Sequence, residues 1–140
     1  MKKSALAEQY FSEGCNCCQA VLLAFAHETG LDRDVLARLS SSFGAGMGGL
    51  GEVCGAVTGM LMVLGADGGY GYPADSNAKA PHAAYVREAA DTFKEQFGSY
   101  LCRELKFGER DRAYCTELVR FAAALCEQLL ETKKIKNENS

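Results

Sequence analysis

The sequence predicts an all-α fold, a compact bundle of about five to seven helices, and three observations carry that expectation. No segment alternates apolar and polar residues over several positions, as a half-buried strand would. Apolar residues instead recur at three- and four-residue spacings between caps and glycines. The chain has 140 residues of which 48% are hydrophobic, enough for one core and too short to expect two domains, and no internal repeat is present.

Taken in order, residues 4–12 form a short amphipathic helix with Leu6, Tyr10 and Phe11 on one face, ended by Gly14. Asn16 starts a second helix as its N-cap, with Gln19 in the capping-box position, and this apolar, central helix runs to Gly30. Asp32 or Asp34 opens a third, through Val35, Leu36 and Leu39 to about residue 42. Gly44, Gly46, Gly48, Gly49 and Gly51 then crowd into a tight loop. A fourth helix is expected over residues 52–66, where Gly51, Gly55 and Gly59 make a smooth face for a closely crossing backbone. Residues 67–79 read as a polar loop, and Pro81 suits the first turn of a fifth helix carrying Ala84, Tyr85, Ala89, Phe93 and Phe97. After Gly98, Ser99 caps a short continuation through Cys102 to Phe107. The last helix starts near Asp111 and runs to about Thr132, and the charged residues from Lys133 onward form a frayed tail.

Charge and hydropathy remove several function classes. A formal net charge of -3, with Lys and Arg interspersed among Asp and Glu, leaves no basic patch for nucleic acid. The most apolar run, residues 53–66, is shorter than the roughly 20 residues of a membrane span, so no membrane insertion is expected. Met1-Lys2-Lys3 opens as a secretory leader does, but Glu8, Gln9, Ser12 and Glu13 interrupt the apolar stretch that must follow. A cytoplasmic location is expected. Seven cysteines, an odd number, then argue against a framework of structural disulfides and for reactive or metal-binding thiols.

Four of those cysteines, Cys17, Cys54, Cys102 and Cys115, fall in the first turns of different predicted helices. Free backbone N–H groups and the helix dipole favour a thiolate there, and the thiolate is the form that attacks disulfides and binds metals. Convergence of the four on one site is the expectation. Cys54, beneath the glycine loop and one turn before Thr58, is the strongest single candidate, with the Thr58 hydroxyl available to a thiolate. Arg103 stands beside Cys102 as a candidate cation. Cys18 and Cys126 face apolar runs and read as small core residues. The two histidines, His27 and His82, match no zinc spacing, and the glycine loop lacks the Gly-Lys-Ser/Thr ending of a phosphate loop. Glu52, Glu104 and Glu117 lie near the cysteines but fit helix starts equally well, so no enzyme reaction is assigned.

The segment Phe11-Ser-Glu-Gly-Cys-Asn-Cys17-Cys-Gln-Ala20, then Phe43-Gly44 with Gly46-Met47-Gly48, then Cys54-Gly-Ala-Val-Thr-Gly59, then Cys102 and Cys115, resembles the redox-active C_GCAxxG_C_C family. The resemblance spans about residues 5–130. It implies a redox role for Cys17, Cys54, Cys102 and Cys115, with Gly55, Ala56 and Gly59 as packing residues of the motif. Cys15, Cys18 and Cys126 are then additions local to this chain. Related domains stand beside haem-binding segments in some electron-transfer proteins, which brings an iron–sulfur site into view.

Three readings follow. The chain is a dithiol/disulfide redox protein, a carrier of a metal ion or iron–sulfur cluster on the same four thiols, or an accessory helical module whose cysteines do no chemistry. The redox partner is not named by any of these residues. A homodimer is expected in addition, because helices two and four are apolar nearly all round and the glycine face offers close packing.

Overall fold

The computed structural model describes residues 1–106 and 111–139, and among them it contains eight right-handed α-helices and no strand. These are α1 (Lys3–Ser12), α2 (Cys17–Ala24), α3 (Ala26–Thr29), α4 (Arg33–Ser40), α5 (Gly55–Gly68), α6 (Ser76–Phe97), α7 (Cys102–Leu105) and α8 (Arg112–Glu138). The fold is all-α, as its patterning requires. None of these helices is long and apolar enough to cross a membrane.

Local chemistry accounts for most of the starts. Asn16 and Gln19 close a reciprocal capping box at α2, with bonds of 2.8 and 3.0 Å. Asp32 accepts from the Val35 amide at the start of α4, and Asp111 from the Ala113 and Tyr114 amides at the start of α8. The helix expected over 16–30 breaks at Phe25, whose φ of -108° and ψ of 18° leave the helical well, and continues as α3. This break raises the number of helices above the one read from the pattern.

Three other boundaries move. The helix expected from residue 52 begins at Gly55, because the chain before it pairs with the segment before α7. Val53 and Leu101 form an isolated antiparallel bridge, the Cys54 amide donates to the Tyr100 carbonyl at 2.7 Å, and the Cys102 amide donates to the Glu52 carbonyl at 2.6 Å. Helix α6 begins at Ser76, well before Pro81, since Asp75 accepts from the Asn77 amide and caps it there. Pro81 is therefore the sixth residue of α6, inside the helix, where it lacks the N–H that would bond the Asn77 carbonyl. Helix α8 continues past Thr132 to Glu138, with Lys133 held to Asp67 at 3.6 Å and over the Tyr85 ring, and with no Gly or Pro to stop it. Ser99 stands two positions before the cap rather than at it. Its hydroxyl accepts from the Leu101 amide and donates to Glu104, and Leu101 occupies the cap position of α7, while Phe107 lies outside the described residues.

At the centre, α5 packs against α2 and α8, with α1 laid across α2 and α8 and α6 closing the other side. A Cβ on Gly59 would stand 2.7 Å from the Cys18 carbonyl oxygen, and one on Gly55 would stand 2.3 Å from the Cys17 sulfur. The close crossing expected of these glycines is therefore with α2 of the same chain, which fills the face proposed for a second copy. Gly51 is not part of it; it lies in the loop against Arg103. The large apolar side chains left exposed near this region, Leu31, Val35 and Leu39, lie at and along α4.

The glycine-rich segment takes an uncommon form. Ala45, Gly46, Met47 and Gly48 all have positive φ, and the Gly48 amide donates to the Gly44 carbonyl at 2.8 Å, making one left-handed helical turn. Left-handed geometry costs a non-glycine residue roughly 1–2 kcal/mol, so Ala45 and Met47 are held there by their surroundings. Gly46 is required at its position: a Cβ would meet the Cys102 Cβ at 2.6 Å and the Glu52 amide at 2.7 Å.

Candidate thiol cavity

Four chain segments deliver cysteines to one cavity of about 410 Å³, whose wall includes Cys17, Cys54, Cys102 and Cys115. Cys17 is the first residue of α2, Cys54 the cap residue of α5 and Cys102 the first residue of α7. Cys115 is the fourth residue of α8, and its amide already donates to the Asp111 carbonyl. The capping box fixes the start of α2 at Cys17, and the antiparallel bridge between residues 53 and 101 places Cys54 and Cys102 diagonally across it, opposite Tyr100 and Glu52. All seven cysteines are free thiols.

Burial separates the four. Cys54 and Cys102 are buried, whereas Cys17 and Cys115 are half-buried and open toward the cavity. Burial pushes the Cys54 thiol up to about 12, and the adjacent Cys17 adds to the rise. The Ala56 and Val57 amides at the start of α5 pull the other way, although neither closes a full capping hydrogen bond with the sulfur. Desolvation therefore outweighs the helix start at Cys54, which reverses the expectation of an easily ionised thiol there. The Thr58 hydroxyl does not change this, since it donates to the Cys54 carbonyl at 3.4 Å and serves the backbone.

Cys102 and Cys115 are also raised by burial, and at both the Lys106 ammonium opposes the rise. Lys106 lies on the cavity wall with Arg112, and the Arg112 guanidinium bonds the Phe11 carbonyl and sits 4.0 Å over the Phe11 ring. Arg103, the cation read from the sequence, is instead paired with Glu52 at 3.1 Å. Lys106, Arg112, Phe11, Ala45 and Leu118 were not distinguished as wall residues by spacing. The signal in the sequence is that Lys106 and Arg112 lie between the last two site cysteines on the chain.

The remaining cysteines stand apart. Cys18 is fully buried beneath the site and raised to about 12 by burial, and Cys126 is fully buried in α8, with its sulfur 3.9 Å from the Met60 carbonyl. Cys15 is half-buried and outside the cavity wall. Among the described residues, no group of three or more Cys, His, Asp or Glu side chains is disposed to hold a metal ion. As they stand, the four thiols do not fit a single-ion site.

No curated protein and no solved structure matches the chain. A family model does, described as "Putative redox-active protein (C_GCAxxG_C_C)", over residues 15–129, a span that contains the four thiols of the cavity. The chain belongs to the C_GCAxxG_C_C redox-active family.

Proposed function

We propose that the protein carries out dithiol/disulfide exchange, with Cys17 as the attacking thiol and Cys54 as the resolving thiol. One observation carries this reading: the Cys17 sulfur is seated on Gly55, the residue after Cys54, while Cys17 itself stays half-buried on the cavity. Cys17 is also the common neighbour of the set, close enough to raise the pKa of Cys18, Cys54, Cys102 and Cys115. An accessory module has no need to gather thiols from four segments around a cavity; Cys18 and Cys126 are what buried packing cysteines look like here.

The exchange balances without a cofactor. The Cys17 thiolate attacks one sulfur of a substrate disulfide, forming a mixed disulfide and expelling one substrate thiolate, which accepts the proton of Cys54. Cys54 then attacks the Cys17 sulfur, closing the protein disulfide and releasing the second substrate half as a thiolate, which takes from water the proton that Cys17 gave up on ionising. Two electrons pass from the protein dithiol to the substrate disulfide, and the reverse sequence oxidises a dithiol. Free thiols of this kind suit a reducing compartment such as the cytoplasm.

Oxidation with one equivalent of disulfide followed by peptide mapping tests the reading. A Cys17–Cys54 bond is expected as the first product, and Cys17→Ser or Cys54→Ser lowers disulfide-reduction turnover by at least about a hundredfold. A first disulfide between other residues overturns the assignment. Protein purified without oxygen that carries stoichiometric metal and forms no disulfide favours the metal reading instead.

A further inference from the structure

The charge of the cavity deepens that reading by pointing to a substrate class. We infer that the site takes small, carboxylate-bearing disulfides or thiols, with Lys106 as the residue that selects for their negative charge. This inference rests on Cys17 being the attacking thiol.

Size and access favour a small molecule. A cavity of about 410 Å³ is within the range that encloses small ligands, and two of its four thiols are buried within it. Among the described residues its charged wall residues are Lys106, Arg112 and Asp111. Asp111 is spent on the amides of Ala113 and Tyr114, and Arg112 is fixed on Phe11. Among the described residues the Lys106 ammonium makes no ion pair, so it is the cation left to meet a ligand. The starts of α2, α5 and α8 add positive potential of the same sign. Phe11, Leu105 and Leu118 give the wall an apolar part that covers the alkyl portion of such a ligand.

Three symmetrical alkyl disulfides of similar length, dithiodipropionate, hydroxyethyl disulfide and cystamine, separate charge from thiol reactivity. Each is offered to the reduced full chain, and the rate of Cys17–Cys54 bond formation is followed by mass mapping. The dianion is expected to react fastest and the dication slowest, with their ratio shrinking as salt is raised. Lys106→Gln should lower the ratio of dianion to dication by about threefold to tenfold, the effect of one unit charge a few ångströms away, and Lys106→Arg should retain it. Using the ratio cancels any change that the substitution makes in the thiols themselves. Equal rates for the three probes, or a ratio untouched by Lys106→Gln, overturn the substrate class while the Cys17–Cys54 bond still forms. Absence of that bond with every probe overturns the exchange reading itself.

Discussion

Cys54 and Cys126 are both buried and both pushed up to about 12 by burial, yet they sit in regions with opposite prospects. Cys54 stands at the mouth of a helix, on a cavity, beside three other thiols. Cys126 stands in mid-helix with its sulfur against the Met60 carbonyl and with Asp67, Glu127 and Glu28 raising it further. Burial alone therefore does not distinguish a structural cysteine from a reactive one. Position does, for Cys54 lies on a cavity wall with the half-buried thiols Cys17 and Cys115.

The largest contrast is expected in reactivity. Alkylation at neutral pH, mapped by mass spectrometry, should label Cys17 before any other member of the set and at least about a hundredfold faster than Cys126, which has neither access nor thiolate character. Cys126 reacting at a comparable rate would mean that the core at α8 opens as readily as the cavity, and the comparison would collapse. Cys126→Ala should leave the Cys17–Cys54 bond forming as before, at a stability loss of about 1–2 kcal/mol for the small space left behind.

A second contrast is set by pH. Cys18, Cys54 and Cys126 are each raised from 9.0 to about 12, so the folded protein holds these protons where the unfolded chain releases them. The unfolded state binds fewer protons over that window, and stability falls as pH rises. Stability should be level below about pH 9 and decline between about 9 and 12, by up to roughly 1.4 kcal/mol per pH unit for each thiol. Urea unfolding at a series of pH values measures this. Cys126→Ala should flatten the decline by its share; an unchanged slope would show that Cys126 is not held as a neutral thiol.

Smaller effects should separate the two glycines of the motif. Gly59→Ala sets a methyl against the Cys18 backbone, which has no easy retreat, and should lower stability by about 1–3 kcal/mol. Gly55→Ala meets the Cys17 sulfur at 2.3 Å as well as the Phe43 carbonyl and Cys18 amide at 3.0 and 3.1 Å, and should slow formation of the Cys17–Cys54 bond in addition to lowering stability. Paired chemical denaturation and disulfide-formation rates distinguish the two, and equal effects of both substitutions on both measurements would remove the special seat of Cys17 on Gly55.

Much of this was written locally. The capping box at Asn16 and Gln19, the Asp111 cap and the apolar spacing of α2, α5 and α8 declare themselves within a few residues, because caps and helical faces depend on neighbours in sequence. The four cysteines could likewise be picked out by their places near helix starts. Boundaries that depend on distant partners could not: α5 begins at Gly55 because residues 51–54 pair with residues 100–103, and α8 runs to Glu138 with Lys133 on Asp67 and Tyr85. The character of the thiols was decided at the same level. A helix start favours ionisation wherever it occurs, but how far desolvation opposes it depends on what packs around the sulfur, and at Cys54 that packing wins. The sequence by itself determined which thiols stand at helix starts; only the tertiary structure decided which is buried, which is open and which cation, Lys106, faces them, because burial and charge proximity are properties of chain segments that meet only on folding.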